Sequence, residues 1–303
     1  MSDFTVFDVP FPSEVKQRVI VNTDAKNEAD DQFAIVHAVL TPSFELHSII
    51  PAHFGTGKSS TSMQDSYDET MLLLRLMGLE DDIRVDAGAT HAMPDESTPV
   101  DSPGAQLIIE EAMKDDDRPL HIAFYGPVTD ISSALLLEPK IESRNLRILW
   151  IGGGDWPNGG REYNLSNDIT AANVLMKSNL EVWQIPRTTY RTMSVGYAEL
   201  IEKMYTQGEI GKYLIDQLIE HNARTRPEME YRSLGDSPCI GIIMDPECGK
   251  WTWRPAPTFD PQMHYIHTGQ YRPIRVYDNV NTRFIHEDLF AKLAQFIRRG
   301  SRL

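Results

Sequence analysis

Four carboxylates fall within eight residues in the stretch Asn22-Thr23-Asp24-Ala25-Lys26-Asn27-Glu28-Ala29-Asp30-Asp31. The stretch follows a short apolar run, Arg18–Asn22, and leads into an apolar segment with helical spacing, which places it between the end of a strand and the start of a helix. Like charges crowded in this way repel and raise one another's pKa values unless a cation sits among them. Hard cations such as Ca2+ and Mg2+ take oxygen donors of this kind. A plainer role fits the same residues, because Asp and Glu at a helix N-terminus favour its macrodipole, and the cluster alone leaves both open.

Three further segments combine turn residues with polar side chains. Gly126-Pro127-Val128-Thr129-Asp130-Ile131 is a turn into a helix that can direct a backbone carbonyl toward the same edge. The stretch from Gly152 to Asn164 is a long, glycine-rich loop that offers Glu162 and Asn164 to hydroxyl groups and also holds Trp156. Loops of this length are frequently functional, but this one lacks the G-x-x-x-x-G-K-[ST] spacing of a phosphate loop. Lys58 in Gly-Thr-Gly-Lys-Ser lacks that spacing too. Asp236, in Leu234-Gly235-Asp236-Ser237-Pro238, precedes the apolar run Cys239–Met244; taken singly, it reads as a helix cap.

The elements that must position these residues alternate. Residues 18–22, 45–52, 83–88, 120–126, 146–153 and 181–186 read as short buried strands. Helical patterns occupy 30–40, 66–79, 102–113, 129–137, 170–177, 197–204, 209–222 and 287–298. The second opens on the capping box Ser66-x-x-Glu69, and the third on Ser102-Pro103, a cap followed by proline at the first helical position. This alternation predicts an α/β fold with an open, mostly parallel, Rossmann-like sheet and helices on both faces. Residues 251–260, with two prolines and two tryptophans, read as a packed loop with Trp251 and Trp253 in the core, so the chain is expected to form one domain over 1–303, its core at about 17–298. In an open parallel sheet, ligands bind beyond the carboxyl ends of the strands, where all four segments lie.

Composition narrows the function. With 29 Lys+Arg against 44 Asp+Glu, the formal charge is −15, which disfavours nucleic-acid binding because phosphate contact needs a basic face. No basic amphipathic stretch suits a membrane surface, and no apolar run is long enough to span one. Two cysteines, Cys239 and Cys248, build neither a disulfide framework nor a zinc site. Residues 1–14 lack the basic and apolar regions of a signal peptide. The expectation is a cytoplasmic protein working on small molecules.

Taken together, the four segments resemble the nucleoside hydrolase family. Its aspartate loop, D-x-D-P-G-x-D-D before an apolar helix, is similar to NTDAKNEADDQFAIVHAVL. Its Gly-Pro/Leu-Thr-Asn-Ile-Ala turn resembles GPVTDIS at Gly126–Ser132, and its Met-Gly-Gly strand with a later Ala-Glu-Phe-Asn resembles IGGGDW…REYN, ending at Asn164. The late family aspartate stands nine residues before an Asp-Pro, as Asp236 does before Asp245-Pro246. The resemblance implies Ca2+-dependent hydrolysis of the N-glycosidic bond of ribonucleosides to free base and ribose. It implies Asp24 as metal ligand and as the base toward the attacking water, Asp31, the Thr129 carbonyl and Asp236 as the other metal ligands, and Asp30, Glu162 and Asn164 as ribose contacts. It also implies self-association as a dimer or tetramer.

The departures fall mainly around the leaving group. The aspartate loop is two residues longer, so Asp24 precedes Asp30 by six positions instead of four, which brings Asn27 and Glu28 forward as metal or ribose contacts. The first family aspartate is Asn22, and Gly235 stands where a histidine often precedes the late aspartate as a proposed acid for the leaving base. His53, at the second strand end, and Trp156 are the candidates for a rebuilt base site. The alternatives are a different N-riboside or glycoside cleaved by the same metal site, or a non-catalytic metal- and sugar-binding protein.

Overall fold

The structure, a computed structural model, describes residues 15–300. The N-terminal stretch weighed as a signal peptide lies outside the described residues. Seven strands form the main sheet. Its parallel part comprises β1 (Gln17–Thr23), β2 (Phe44–Pro51), β3 (Leu120–Phe124), β4 (Leu146–Ile151) and β5 (Glu181–Ile185) in the order β2-β1-β3-β4-β5. Strand Pro273–Val280 continues the sheet parallel to β5, and strand Gly249–Pro255 closes it antiparallel.

Alternation along the strands builds two cores. Val19 and Val21 of β1, Leu149 and Ile151 of β4, and Trp183 and Ile185 of β5 face one side. Ile20, Ile122, Phe124, Ile148, Trp150 and Val182 face the other. On the first side lie α1 (Asp31–Val39), α2 (Ser62–Met77) and helices Gly208–Thr225, Pro238–Met244 and Thr282–Gly300. On the second lie α3 (Pro103–Ala112), α4 (Thr129–Leu137) and, after the short α5 (Tyr163–Asn167), α6 (Ile169–Lys177). Ser102 caps α3 as its sequence predicts, accepting from the Ala105 amide at 2.9 Å.

Three sequence expectations are corrected. Residues 83–88 run beside β2 with a single bridge, Ile49 to Val85, and form no strand, because the segment bonds to β2 only intermittently, through Arg84, Asp86 and Gly88. Helix α2 begins a turn earlier than Ser66, whose hydroxyl bonds back to the Ser62 carbonyl; Glu69 instead serves Lys26, Gln32 and Tyr213. The segment read as a loop at 251–260 supplies most of strand Gly249–Pro255, and Trp251 and Trp253 lie against the Arg275 guanidinium, with Trp253 49% exposed.

Two departures from the family pattern meet in space. The Asn22 amide donates to Asp130 Oδ2 at 2.8 Å, and both residues are fully buried. Asp130 Oδ1 accepts from the Ala89 amide and the Ser102 hydroxyl, tying the ends of β1 and α4 to the loop before α3. The family motif carries aspartate first and asparagine in the turn; here the two side chains are exchanged, which keeps one buried charge and its bonds. Asn22→Asp alone sets two carboxylates face to face and is expected to lower urea-unfolding stability by about 3 kcal/mol. Asn22→Asp/Asp130→Asn should recover most of that loss; additive losses would show that the exchange is not a coupled pair.

Candidate active site

In a sheet ordered β2-β1-β3, the chain leaves β1 and β3 in opposite directions and opens a crevice at their carboxyl ends. Asp24 lies just beyond β1, Tyr125 and Gly126 just beyond β3, and Ile151 ends β4. A Cβ at position 126 would sit 2.8 Å from Cβ and Cγ of Asp24, so glycine lets β3 end against the carboxylate. The cavity here, about 60 Å3, is lined by Asp24, Asn27, Glu28, Asp30, Asp31, Tyr125, Glu162, Asn164 and Asp236 among others. That volume suits an ion or a few waters.

Its electrostatics are dominated by buried like charges. One carboxylate oxygen from each of Asp30, Asp31 and Asp236 lies within 4.8 Å of the others. Burial first, then repulsion from Asp31, Glu28 and Asp30, raises the Asp24 pKa well above the usual carboxylate range. Asp31 is pushed up to about 8 by burial and then by Asp30, although Thr23 Oγ1 donates to it at 2.6 Å. Burial followed by Asp31, Asp30 and Asp24 raises Asp236 as well. The outer carboxylates have a counter-charge: Arg232 pairs with Glu28, and with Asp30 at 3.2 Å. Burial pushes Glu28 up, but Arg232 outweighs it and holds Glu28 below its ordinary value. Asp30 also accepts from the Gly235 amide at 2.9 Å and stays raised, with burial the largest cause. The Tyr125 hydroxyl, buried beside these groups, has no hydrogen-bond partner. A concentrated, charge-frustrated set of oxygen donors fits a hard divalent cation.

Of the residues singled out in the sequence, Asp24, Asn27, Asp30, Asp31, Glu162, Asn164 and Asp236 are brought to this one cavity. Glu162 caps α5, accepting from the Asn164 and Leu165 amides, and also accepts from the Gly153 amide and the Tyr190 hydroxyl. Asn164 donates to the carbonyls of Tyr125 and Ile151 at 2.7 and 2.8 Å and so locks the ends of β3 and β4 together. The extra loop residues Asn27 and Glu28 both reach the cavity wall, and Lys58 donates to Asn27 and sits 4.5 Å over the Tyr163 ring.

Thr129, His53 and Trp156 are not brought there. Thr129 is the first residue of α4, so its carbonyl points along the helix, and its hydroxyl donates to Asp168 Oδ2 at 2.7 Å. The residue of this segment that lines the cavity is Tyr125, just before the Gly-Pro turn. His53 Nε2 lies 2.9 Å from Thr129 Oγ1, and its Nδ1 accepts from the Gly55 amide. Since the threonine proton goes to Asp168, the network assigns the histidine proton to Nε2. Burial pushes this imidazole down to about 4, which makes it a neutral structural link. Trp156 donates to Gln184 at 2.9 Å and packs edge-on against Tyr265 beneath the glycine-rich loop.

Sequence reasoning missed Tyr125, Tyr163, Tyr190 and Arg232 as site residues. They come from three strand or helix ends and one short late strand, Tyr231–Ser233, and no local motif marks them apart from Tyr163 between Glu162 and Asn164. Tyr190 also replaces lost bulk: a Cβ at Gly235 would lie 3.1 Å from its Cδ2. The ring thus fills the space beside the position where a histidine was expected.

A family model described as inosine-uridine preferring nucleoside hydrolase matches residues 19–282. The pyrimidine-specific ribonucleoside hydrolase RihA of Salmonella paratyphi A is 23% identical over 252 residues, covering 76% of this chain and 80% of that protein. A purine-preferring ribonucleoside hydrolase from Gardnerella vaginalis shares the fold with a TM-score of 0.78 at 20% identity, over 93% of this chain and all of that one. A plant nucleoside hydrolase, the PpNRh1 enzyme, shares it with a TM-score of 0.74 at 16% identity, over 92% of this chain and 99% of that one.

The raised carboxylates fix a pH dependence. A group whose folded pKa lies above its unfolded value favours folding fully at pH below the unfolded value, and that contribution is lost as pH rises through the folded one. Chelator-treated protein should therefore lose stability from this cluster as pH rises from about 4 to about 8, the value for Asp31. A divalent cation competes with those protons. Its stabilisation, about 2.7 kcal/mol at a hundredfold excess over Kd, should grow from pH 5 to pH 8 in thermal melts. An increment that stays flat over this window would count against a cation among these carboxylates.

Proposed function

The chain belongs to the inosine-uridine preferring nucleoside hydrolase family, and from that premise we propose that it cleaves the N-glycosidic bond of ribonucleosides to free base and ribose in a Ca2+-dependent reaction. The observation that supports the reading is the convergence of Asp24, Asp30, Asp31 and Asp236, all buried, on one cavity at the β1/β3 crevice, with carboxylate oxygens of Asp30, Asp31 and Asp236 within 4.8 Å of one another. Asp24, Asp31 and Asp236 would hold the cation with their carboxylates. The Tyr125 carbonyl, which lines the same cavity and keeps a second lone pair beside its bond from Asn164, would join them in place of that of Thr129. Bound there, Ca2+ supplies a Lewis acid that lowers the pKa of a water and orients it.

The chain's own groups do the rest. Burial and the neighbouring carboxylates favour the protonated form of Asp24; a cation held beside it would favour the carboxylate, which can take the proton of the attacking water. Asp30, Asn27, Glu162 and Asn164 line this cavity, Asp30 and Glu162 where it meets a larger chamber, and these four would contact the hydroxyls of a ribose bound at that junction. Glu162 reaches a sugar hydroxyl by exchanging its bond from Tyr190, the one of its four partners that is not backbone. The remaining negative charge favours the oxocarbenium-like sugar at the transition state. As further parts of this reading we place the protein in the cytoplasm as a dimer or tetramer. No helix among the described residues is long and apolar enough to cross a membrane.

One observation favours a second reading within the same chemistry. Gly235 and Tyr190 change the side from which a leaving group would be protonated, which supports a riboside other than the common nucleosides. A non-catalytic metal- and sugar-binding protein is the remaining alternative. Free ribose measured from a panel of purine and pyrimidine nucleosides, with and without chelator, separates these readings. Asp24→Asn should lower chelator-sensitive ribose release by about 100-fold or more; turnover near the native rate would overturn the assignment of the base.

A further inference from the structure

The acidic pocket opens into a second, larger chamber of about 700 Å3. Glu28, Asp30, Glu162, Tyr163, Tyr190 and Gly235 line both, so a substrate with its ribose among the carboxylates projects its other end into this chamber. The chamber's other walls are basic. Arg161, Arg187, Arg191, Arg226 and Arg232 all face it, in a chain whose formal charge is −15.

Two of these arginines are engaged by the protein. Arg232 holds Glu28 and Asp30, and Arg187 meets both oxygens of Asp155 at 3.0 and 2.8 Å. The other three differ. Arg161, Arg191 and Arg226 are exposed at the chamber wall, and among the described residues no ion pair to a carboxylate joins any of them, so their guanidiniums are open to a ligand there. The guanidinium presents a planar fork of donors that matches carboxylate and phosphate oxygens in pairs. Three such forks around a chamber continuous with a ribose pocket constitute a place for an anion.

We infer that the preferred riboside carries an anionic group, a carboxylate or a phosphate, at the end that lies in the arginine-lined chamber beyond the acidic pocket. This deepens the hydrolase reading and rests on it for the placement of the ribose. Gly235 supports the arrangement, because a side chain there would meet Tyr190 and Asp30 Oδ2 at 3.1 and 3.2 Å, at the passage between the two spaces.

The test compares matched ribosides with and without one anionic group. Ribose release is measured for uridine against orotidine and for nicotinamide riboside against nicotinic acid riboside, which place a carboxylate on the leaving base. Uridine against uridine 5′-monophosphate places a phosphate on the sugar instead. The same pairs are measured for binding by calorimetry. At least one member bearing the anionic group is expected to exceed its partner lacking it about tenfold in kcat/KM, as one charge-assisted contact allows, and the pair that does so identifies the anion. In Arg161→Gln/Arg191→Gln that ratio should fall below threefold, with unchanged melting temperature reporting an intact fold. Hydrolysis of neutral nucleosides with no preference for any charged partner would overturn this inference and leave the hydrolase reading standing. Tighter binding of a charged member, lost in the double variant but without turnover of any riboside, would support the anion site and sink the hydrolase reading. A ratio unchanged by the double variant would also overturn the inference.

Discussion

Mutual repulsion among buried carboxylates at the carboxyl ends of β1 and β3 is the constraint around which this molecule is arranged. Asp24, Asp31 and Asp236 are each nearly inaccessible to water, and burial first, then repulsion from neighbouring carboxylates with Asp30 among them in every case, raises the pKa of each. Burying such a group costs several kcal/mol unless a partner offsets it, so the cluster persists only because the surrounding fold over-determines it. Much of the local architecture performs that task. Gly126 permits the approach of β3 to Asp24. Thr23 donates to Asp31, and Arg232 holds Asp30 and Glu28 from the far side. The inner three carboxylates have no arginine or lysine ion pair among the described residues, and that imbalance concentrates the demand for a cation at one point.

The layer beneath the cluster shows the same economy of charge. Asn22 sits at the end of β1, two residues before Asp24, and is joined to Asp130 at the start of α4. Had both positions carried carboxylates, a second repulsive pair would lie directly under the first. With one amide and one carboxylate, Asp130 accepts from three donors, the Asn22 amide N–H, the Ala89 amide and the Ser102 hydroxyl, while the Asn22 side-chain oxygen stays buried without a partner. The exchange of side chain types relative to the family motif therefore preserves net charge while reversing which element carries it. Seen along the chain, it is two unrelated departures; seen in the fold, it is one compensated contact.

This contrast explains what was legible in the sequence. The five parallel strands and the α/β layering are local in origin, since each strand alternates between two cores and each helix follows it with its own period. The convergence of Asp24, Asp30, Asp31, Glu162, Asn164 and Asp236 on one cavity was legible because each stands within a motif at a strand end or a helix start. Thr129 does not line the cavity whereas Tyr125 does: the Gly-Pro turn was recognised, but which residue beside it reaches the cavity depends on where α4 begins. His53 looked available because it ends a strand beside the site, and nothing local reveals that Thr129 and Asp168 hold it. Residues 83–88 and 251–260 were misread for the complementary reason, since a segment at a sheet edge becomes strand or loop according to the neighbour it finds. Tyr190 and Arg232 had no sequence signal, because their roles arise only when the late strand Tyr231–Ser233 pairs with Ser194–Gly196 beside the aspartate loop.

The longer aspartate loop connects the two halves of the site. Its extra length carries Glu28 out to Arg232, where an ion pair forms that is shared with Asp30. Arg232 also lines the arginine-rich chamber, so this pair is the boundary at which the sign of the wall changes. On one side lie carboxylates that favour a cation and a positively charged sugar; on the other lie guanidiniums that favour an anion. A ribonucleoside whose bond breaks between those regions separates charge in the same sense, positive on the sugar and negative on the departing group. The field across the passage therefore opposes the ground state less than it favours bond cleavage, since preorganised charge acts most strongly where charge develops. Shortening the loop to the family length would remove Glu28 from Arg232 and leave Asp30 alone to hold that boundary, so the insertion and the basic chamber belong to one electrostatic arrangement.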